Sequence, residues 1–252
     1  MSLSVSKAWD ETAALARREA RRLFPIAFVL LTLPSAFLQA LAPVTQPGAV
    51  PRPGLWLAVV PLLIGASLIG ALAISALALG EREHFRIALR RFLPLLGAAL
   101  LVALSVALLM TLLILIAAAV PQYTVRPVLF ALPILLYFWA RLMLATPVAA
   151  AEGGGPVALI RRSWNLTRGH VWRLLGFLVL VLIVSLVVLI AAGAIGGILV
   201  TLVAGRPEPG SASLLIILLG SALLQAVIAG LFTVFVARIY AQLAAHAKEV
   251  SE

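Results

Sequence analysis

Six apolar runs, at 24–42, 55–79, 93–120, 127–150, 171–204 and 214–237, alternate along the chain with short polar stretches. They are apolar on every side of a helical wheel, the pattern of a helix with no wet face. A helix needs about 20 such residues to cross a bilayer. The first run just reaches that length and the fifth exceeds it. At 1.5 Å per residue the fifth would be roughly 50 Å long, against a hydrocarbon core of about 30 Å. It is expected to tilt, protrude, or break at Gly193, Gly196 and Gly197. The Gly193/Gly197 spacing also fits close helix packing, or a helix stop. Gly65, Ala66 and Gly70 give the second run a face that a neighbour can approach closely. Pro25 and Pro94 fall at the starts of runs, where a missing N–H costs little. Pro34, Pro133 and Pro147 fall inside runs and predict kinks.

The stretches before the odd-numbered runs are amphipathic at helical period. In 8–23, Trp9, Ala13, Ala16, Ala20 and Leu23 oppose Glu11, Arg18, Arg21 and Arg22. In 81–92, Arg82, Arg86 and Arg90 oppose Phe85, Ala88, Leu89 and Phe92. In 155–176, Arg161, Arg162, Asn165 and Arg168 share one arc, while Val157, Leu159, Ile160, Trp164 and Leu166 occupy the rest. Pro156 suits a first helical residue and Gly169 a stop. Trp164 and Trp172 suit the headgroup level. Each stretch predicts a helix lying in the interface with its bases toward headgroups. For 8–23 an ordinary solvated leader is the other reading.

Composition agrees. The chain is 63% hydrophobic and 11% charged, where soluble domains are about 45–50% apolar and 25% charged. Mean hydropathy is +1.16. Nineteen bases stand against nine acids. In a soluble domain that balance would point to nucleic acid. Here the bases flank apolar runs, so anionic lipid headgroups are the expected partner, with no nucleic acid. The absence of cysteine excludes disulfides and thiolate metal sites. Residues 1–22 lack the pattern of a cleavable signal, so the first run is expected to stay as an anchor. Arg17-Arg18 is outweighed as a twin-arginine signal by Arg21-Arg22 and the full span that follows. Richness in Ala, Arg, Leu and Gly suggests a GC-rich bacterial genome. Twelve bases lie in the three amphipathic stretches, with Lys7 just before the first, and one lies in each opposite loop, Arg52, Arg126 and Arg206. By the positive-inside rule this predicts six spans in a bacterial inner membrane, with both termini cytoplasmic.

The stretches also repeat. Arg21-Arg22-Leu-Phe-Pro25 matches Arg90-Arg91-Phe-Leu-Pro94, and Trp172-Arg173-Leu-Leu-Gly176 holds the same place before the fifth run. Each outer loop has an Arg-Pro pair. Arg141 precedes Glu152 by eleven residues, Arg238 precedes Glu249 by eleven, and Leu72 precedes Glu83 by eleven. The expected architecture is one all-α membrane domain over 1–252. Its three parallel repeats, 1–80, 81–151 and 152–252, are each an interfacial helix plus a helical hairpin.

Catalytic chemistry finds no foothold. The three histidines form no HExxH, and neither a GxSxG nor a Gly-rich phosphate loop with its lysine occurs. The nine acids lie in loops, elbows or tails rather than converging on a pocket. The Glu81, Glu83, His84 cluster stands among arginines that repel cations. No enzyme activity, metal or cofactor is expected. Gly153-Gly154-Gly155 reads as a hinge, or as an anion site at a helix start. The candidate headgroup contacts are Arg161, Arg162, Arg168, Arg173 and Trp164, with Arg82, Arg86 and Arg90. The intramembrane polar candidates are Arg141 and Gln225. Arg141 either snorkels to the interface or faces the bundle and holds a lipid phosphate or carboxylate.

The run Arg141-Leu-Met-Leu-Ala-Thr-Pro-Val148, with Glu152-Gly153, Gly155-Pro156, Arg162-Ser-Trp-Asn-Leu-Thr-Arg-Gly169 and Trp172-Arg-Leu-Leu-Gly176, resembles a bacterial membrane family. It is labelled "glycerophosphoryl diester phosphodiesterase membrane domain". The resemblance covers roughly 130–246 and, more loosely, the whole chain. In that family the label comes from fusions to a separate soluble phosphodiesterase. This chain lacks room for that barrel and its catalytic motifs, so the resemblance implies the membrane architecture and no activity. The expected function is a non-enzymatic inner-membrane protein that engages lipid, or assists a membrane-protein partner, through a basic cytoplasmic collar. The alternative is a transporter or lipid-translocating protein with its path between repeats.

Overall fold

The computed structural model describes residues 4–34, 54–119, 125–205 and 211–249. Helix α1 (Val5–Ile26) continues into a π-helical turn (Ala27–Thr32). It is followed by α2 (Leu55–Ala78), α3 (His84–Ala119), α4 (Val125–Leu142) and the short α5 (Ala145–Ala151). Then come α6 (Pro156–Leu166), α7 (Val171–Ala204) and α8 (Ala212–Glu249). Among the described residues there is no strand. Five helical stretches, Val59–Ala78, His84–Leu115, Leu132–Ala151, Val171–Val203 and Ala212–Ala247, are long and apolar enough to cross a membrane. The chain is thus an all-helical, multi-pass membrane protein. The end of the first expected span (35–42), Arg52, Arg206 and the side chain of Arg126 lie outside the described residues.

Several elements differ from the sequence expectation, each for a local reason. The stretch at 81–92 is not a separate interfacial helix: most of it lies within α3, which runs on into apolar helix, because amphipathic and apolar segments share the same period and nothing between them stops a helix. The stretch at 8–23 lies within α1, where a kink at Glu19 (φ −106, ψ 15) separates most of it from the apolar part. Pro25 and Pro94 consequently sit inside helices rather than at their starts. Only the third stretch is set off by a complete break, because Gly169 (φ +83) ends it in the left-handed conformation that glycine adopts freely. Pro147 does break its span, but at Met143 and Leu144. A proline lacks the N–H that would reach the carbonyl four residues back, which here is that of Met143. Pro34 is preceded by the π-helical turn, whereas Pro133 lies within an unbroken α4. The long α7 does not break at its glycines, and a Cβ on Gly193, Gly196 or Gly197 would meet nothing within 4 Å. These glycines form no close helix contact with the described residues.

The neighbours form a ring. α1 packs on α8, its π-helical turn on α2 and α8, α2 on α3, α3 on α4, α4 on α7, and α7 on α8. Apolar surface alone does not drive helices together in lipid, so close approach at small residues matters. A Cβ on Gly70 would lie 2.6 Å from Leu30 Cβ, and one on Gly97 would lie 2.7 Å from Pro156 Cγ. The core is not spread evenly along the helices. Residues 72–78 of α2, 147–150 of α5 and 234–237 of α8 are buried, together with Leu159 and Leu166 of α6. All of these cluster at the end of the bundle that carries the arginines, called here the basic end. Toward the other end, α3 and α7 expose Leu104, Leu108, Ile114, Leu202 and Val203, as lipid-facing helices do.

Candidate functional site at the basic end

Helix α6 is seated in the basic end by its turns. Gly153 (φ +72) and Gly154 (φ +112) reverse the chain after α5. Pro156 then opens α6 at a position where its missing N–H costs nothing. Along α6, Leu159, Ser163, Leu166 and Thr167 share the buried face. Ser163 Oγ donates to the Arg141 carbonyl at 2.7 Å, an acceptor in the last turn of α4 that lies among those without a helical partner.

Arg141 answers in the other direction. Its Nη1 donates to the Trp164 carbonyl at 3.2 Å and to Thr167 Oγ1 at 3.4 Å. Its Nε and Nη2 donate to Tyr137 Oη at 3.2 and 3.0 Å. Its Cζ lies 4.6 Å from the centre of the Trp164 ring, within range of a cation–π attraction. The guanidinium therefore meets the negative end of the α6 dipole and an aromatic face, without a carboxylate. It points toward the basic end, as a snorkelling arginine would, but terminates on protein acceptors. No described bond links it to α8, which carries the half-buried Gln225. These two intramembrane candidates are not brought together.

A second cluster surrounds Glu152 at the end of α5. Arg162 Nε donates to both carboxylate oxygens, at 3.0 and 2.8 Å. Tyr240 Oη of α8 donates to one of them at 2.9 Å. The hydrogen bond to Glu152 raises the Arg162 pKa above its ordinary value, so Arg162 stays charged and committed to this pair. Arg91 of α3 donates to the Ala149 carbonyl at 3.0 Å and also to the Ala150 carbonyl. Four helices, α3, α5, α6 and α8, are thereby joined at one place.

The expected headgroup residues divide. Arg82, Arg86, Arg90, Arg161, Arg168 and Arg173 are exposed around the basic end, and Trp172 beside them is 80% exposed. Arg86 bonds Glu83 at 2.8 Å while remaining open to solvent. Arg162 is taken up by Glu152. Trp164 is half-buried and turned under α6, against Arg141, Tyr137 and Phe138. Sequence reasoning overlooked Ser163, Thr167, Tyr137, Arg91 and Tyr240. One signal was present: Ser163 and Thr167 are spaced by four, in the same stripe as Leu159 and Leu166.

No curated protein matches this chain, and no solved structure does. A family model described as "Domain of unknown function (DUF7847)" matches residues 13–243. Since that match spans most of the chain, the protein belongs to the DUF7847 family.

Proposed function

We propose that this is a non-enzymatic, six-span membrane protein whose basic end engages anionic lipid headgroups, on its own or in support of a membrane-protein partner. The observation that carries this reading is the collar of exposed arginines on α3, α6 and the start of α7, set where the apolar helices begin. Each base near an anionic surface contributes about 1 kcal/mol. Apolar grooves adjoin the collar. One of about 340 Å³ runs between α3, α4 and α6 up to Trp164, and is suited to an acyl chain. The resemblance to the phosphodiesterase membrane-domain family is in keeping with a membrane role and adds no activity.

The collar faces the cytoplasm of a bacterial inner membrane in this reading, by the positive-inside rule. The three parallel units also belong to it. Arg141, at the end of the second unit, bonds α6 of the third. Its counterpart Arg238, at the end of the third, borders a cleft shared with α1 of the first. Such succession around a ring is what parallel repeats about a membrane-normal axis produce. The translocation alternative draws little support from Arg141, whose three nitrogens are each engaged on α4 and α6.

The direct test replaces Arg161, Arg168 and Arg173 with Gln in the purified protein. Its preference for anionic over zwitterionic lipid is then measured by quenching of its tryptophans with brominated lipids. The preference should fall at least tenfold; an unchanged preference removes the headgroup role. Orientation is read separately, since the chain has no cysteine of its own. Single cysteines at Arg52, Arg126 and Arg206 should label from outside, and labelling from the cytoplasm would overturn the topology.

A further inference from the structure

A polar cleft of about 700 Å³ opens at the basic end between α1, the α2–α3 turn and α8. Arg18, Glu19 and Arg22 line it from α1, Gly80, Glu81, Arg82 and His84 from the turn and the start of α3, and Arg238 from α8. Leu15 and Leu77 form its apolar edge. We propose that this cleft binds a phosphoryl anion, the group common to anionic lipid headgroups and free phosphate compounds. The proposal rests on the lipid-engaging reading above and gives it a discrete site.

Charge is the first argument. Four guanidinium groups face two carboxylates, and Arg18 and Arg22 pair with Glu19 at 3.4 and 3.6 Å. Among the described residues, Arg82 and Arg238 have no carboxylate within 4.0 Å. The second argument is unmet bonding. Arg238 Nε and His84 Nδ1 are sealed from solvent without a hydrogen-bond partner. Buried polar atoms are nearly always paired, so the wall of the cleft is incompletely satisfied; an anion in the cleft would meet the outer nitrogens of Arg238 rather than the sealed Nε. A bound anion would supply the counter-charge that this wall lacks.

The third argument comes from the repeat. Arg22 matches Arg91 in the aligned Arg-Arg motifs, at an offset of 69 residues. At the same offset Gly80 and Glu81 match Ala149 and Ala150. In the second unit Arg91 reaches the Ala149 and Ala150 carbonyls and closes the gap with protein atoms. In the first unit the corresponding residues border an open cleft instead. α1 leaves helical geometry at Glu19 (φ −106, ψ 15), beside Arg18 and Arg22. The cleft volume falls in the usual range for ligand sites, about 300–1,000 Å³, and α2 ends at Ala78, which sets the cleft at the boundary of the apolar layer.

The full chain, extracted in mild detergent from phosphatidylglycerol-containing membranes, should retain one phospholipid in native mass spectrometry. Arg238→Gln should reduce that retention at least tenfold, and Arg22→Gln several-fold. Arg22 is the second variant because its side chain is 69% exposed, so its loss does not threaten folding. Arg161, Arg168 and Arg173→Gln together should leave the retained lipid in place. Retention that survives the collar variant and fails in Arg238→Gln assigns the site to a lipid headgroup. If no lipid is retained, but millimolar inorganic phosphate raises the melting temperature of the wild type and not of Arg22→Gln, the site takes a free phosphate. Absence of both effects, or effects insensitive to Arg238→Gln and Arg22→Gln, overturns the proposal. An unchanged anionic-lipid preference in the collar variant overturns the wider reading instead.

Discussion

Two junctions at the basic end are built from matching residues and end in opposite states. At the first, Arg141 of α4 meets α6 and finds the Trp164 carbonyl, Thr167, Tyr137 and an aromatic face. At the second, Arg238 of α8 meets the cleft beside α1, and its Nε has no partner. Helix ends account for the difference. Gly169 stops α6, which leaves the carbonyls of its last turn without helical partners, and Arg141 takes one of them. α1 kinks at Glu19 but carries no glycine stop and resumes to Ile26, and among the described bonds none joins Arg238 to an α1 carbonyl. A complete helix end thus distinguishes the closed clasp from the open cleft.

The largest expected effect tests that contrast directly. Arg141→Met leaves the Trp164 carbonyl and Thr167 without their charged donor and should cost about 2–3 kcal/mol. Arg238→Met removes a half-buried guanidinium whose Nε has no partner, and in phosphate-free, delipidated protein should cost nothing or stabilise by about 1 kcal/mol. Thermal unfolding in detergent, followed by helical circular dichroism, reads both. Equal losses would show that the two junctions do not differ in the way their bonds imply.

Next comes the tightness of the closed junction. A Cβ at Gly97 would meet Pro156 Cγ at 2.7 Å, where α6 begins. Gly97→Val should therefore cost about 1–3 kcal/mol by overpacking. Gly176 of α7 has nothing within 4 Å of such a Cβ, and Gly176→Ala should gain up to about 1 kcal/mol from helix propensity. A Gly97→Val variant that melts like the wild type would mean α6 is loosely seated. A smaller loss is expected at the Glu152 node. Glu152→Gln weakens the bonds from Arg162 and Tyr240, for about 0.5–1.5 kcal/mol. Tyr240→Phe should be partly redundant with it, since both act on the same hydrogen bond, and strict additivity would argue against the shared node.

How much of this was legible varies by element. The apolar runs predicted α2, α7 and α8 closely, because their ends coincide with glycines, prolines or charges; the extension of α8 toward Lys248 was readable too. The continuity of α3 was not, since a change from amphipathic to fully apolar pattern does not interrupt the helical period, and nor was the kink of α1 at Glu19. Pro147 announced a break, and its exact place followed from the missing N–H four residues ahead of Met143. At the site, Arg141 stood out as a charge in an apolar run. Its partners lie 23 and 26 residues on, and periodicity carries no information about which faces meet. Ser163 and Thr167 were hidden inside a stripe that reads as apolar. Arg91 was one of a basic pair, and nothing in the pattern separates it from Arg90, which stays exposed.

The smallest effect sharpens the comparison most economically. Glu83 and Glu152 occupy matching places in the proposed first and second repeats, Glu83 eleven residues after Leu72 and Glu152 eleven residues after Arg141. Glu83 bonds Arg86 at 2.8 Å, with side chains 64% and 60% exposed. Glu152 bonds Arg162 at 2.8 Å, with side chains 36% and 40% exposed, and also receives Tyr240. The same ion-pair distance therefore occurs in two surroundings. An exposed pair one helical turn apart contributes only about 0.2–0.5 kcal/mol, and salt screens it. Glu83→Gln should shift the melting temperature barely beyond error at low salt and not at all at high salt. The Glu152→Gln loss should persist at high salt, because part of it resides in the Tyr240 bond. Should both losses vanish together as salt rises, the node at Glu152 would be a surface pair like any other, and the closed junction would rest on Arg141 alone.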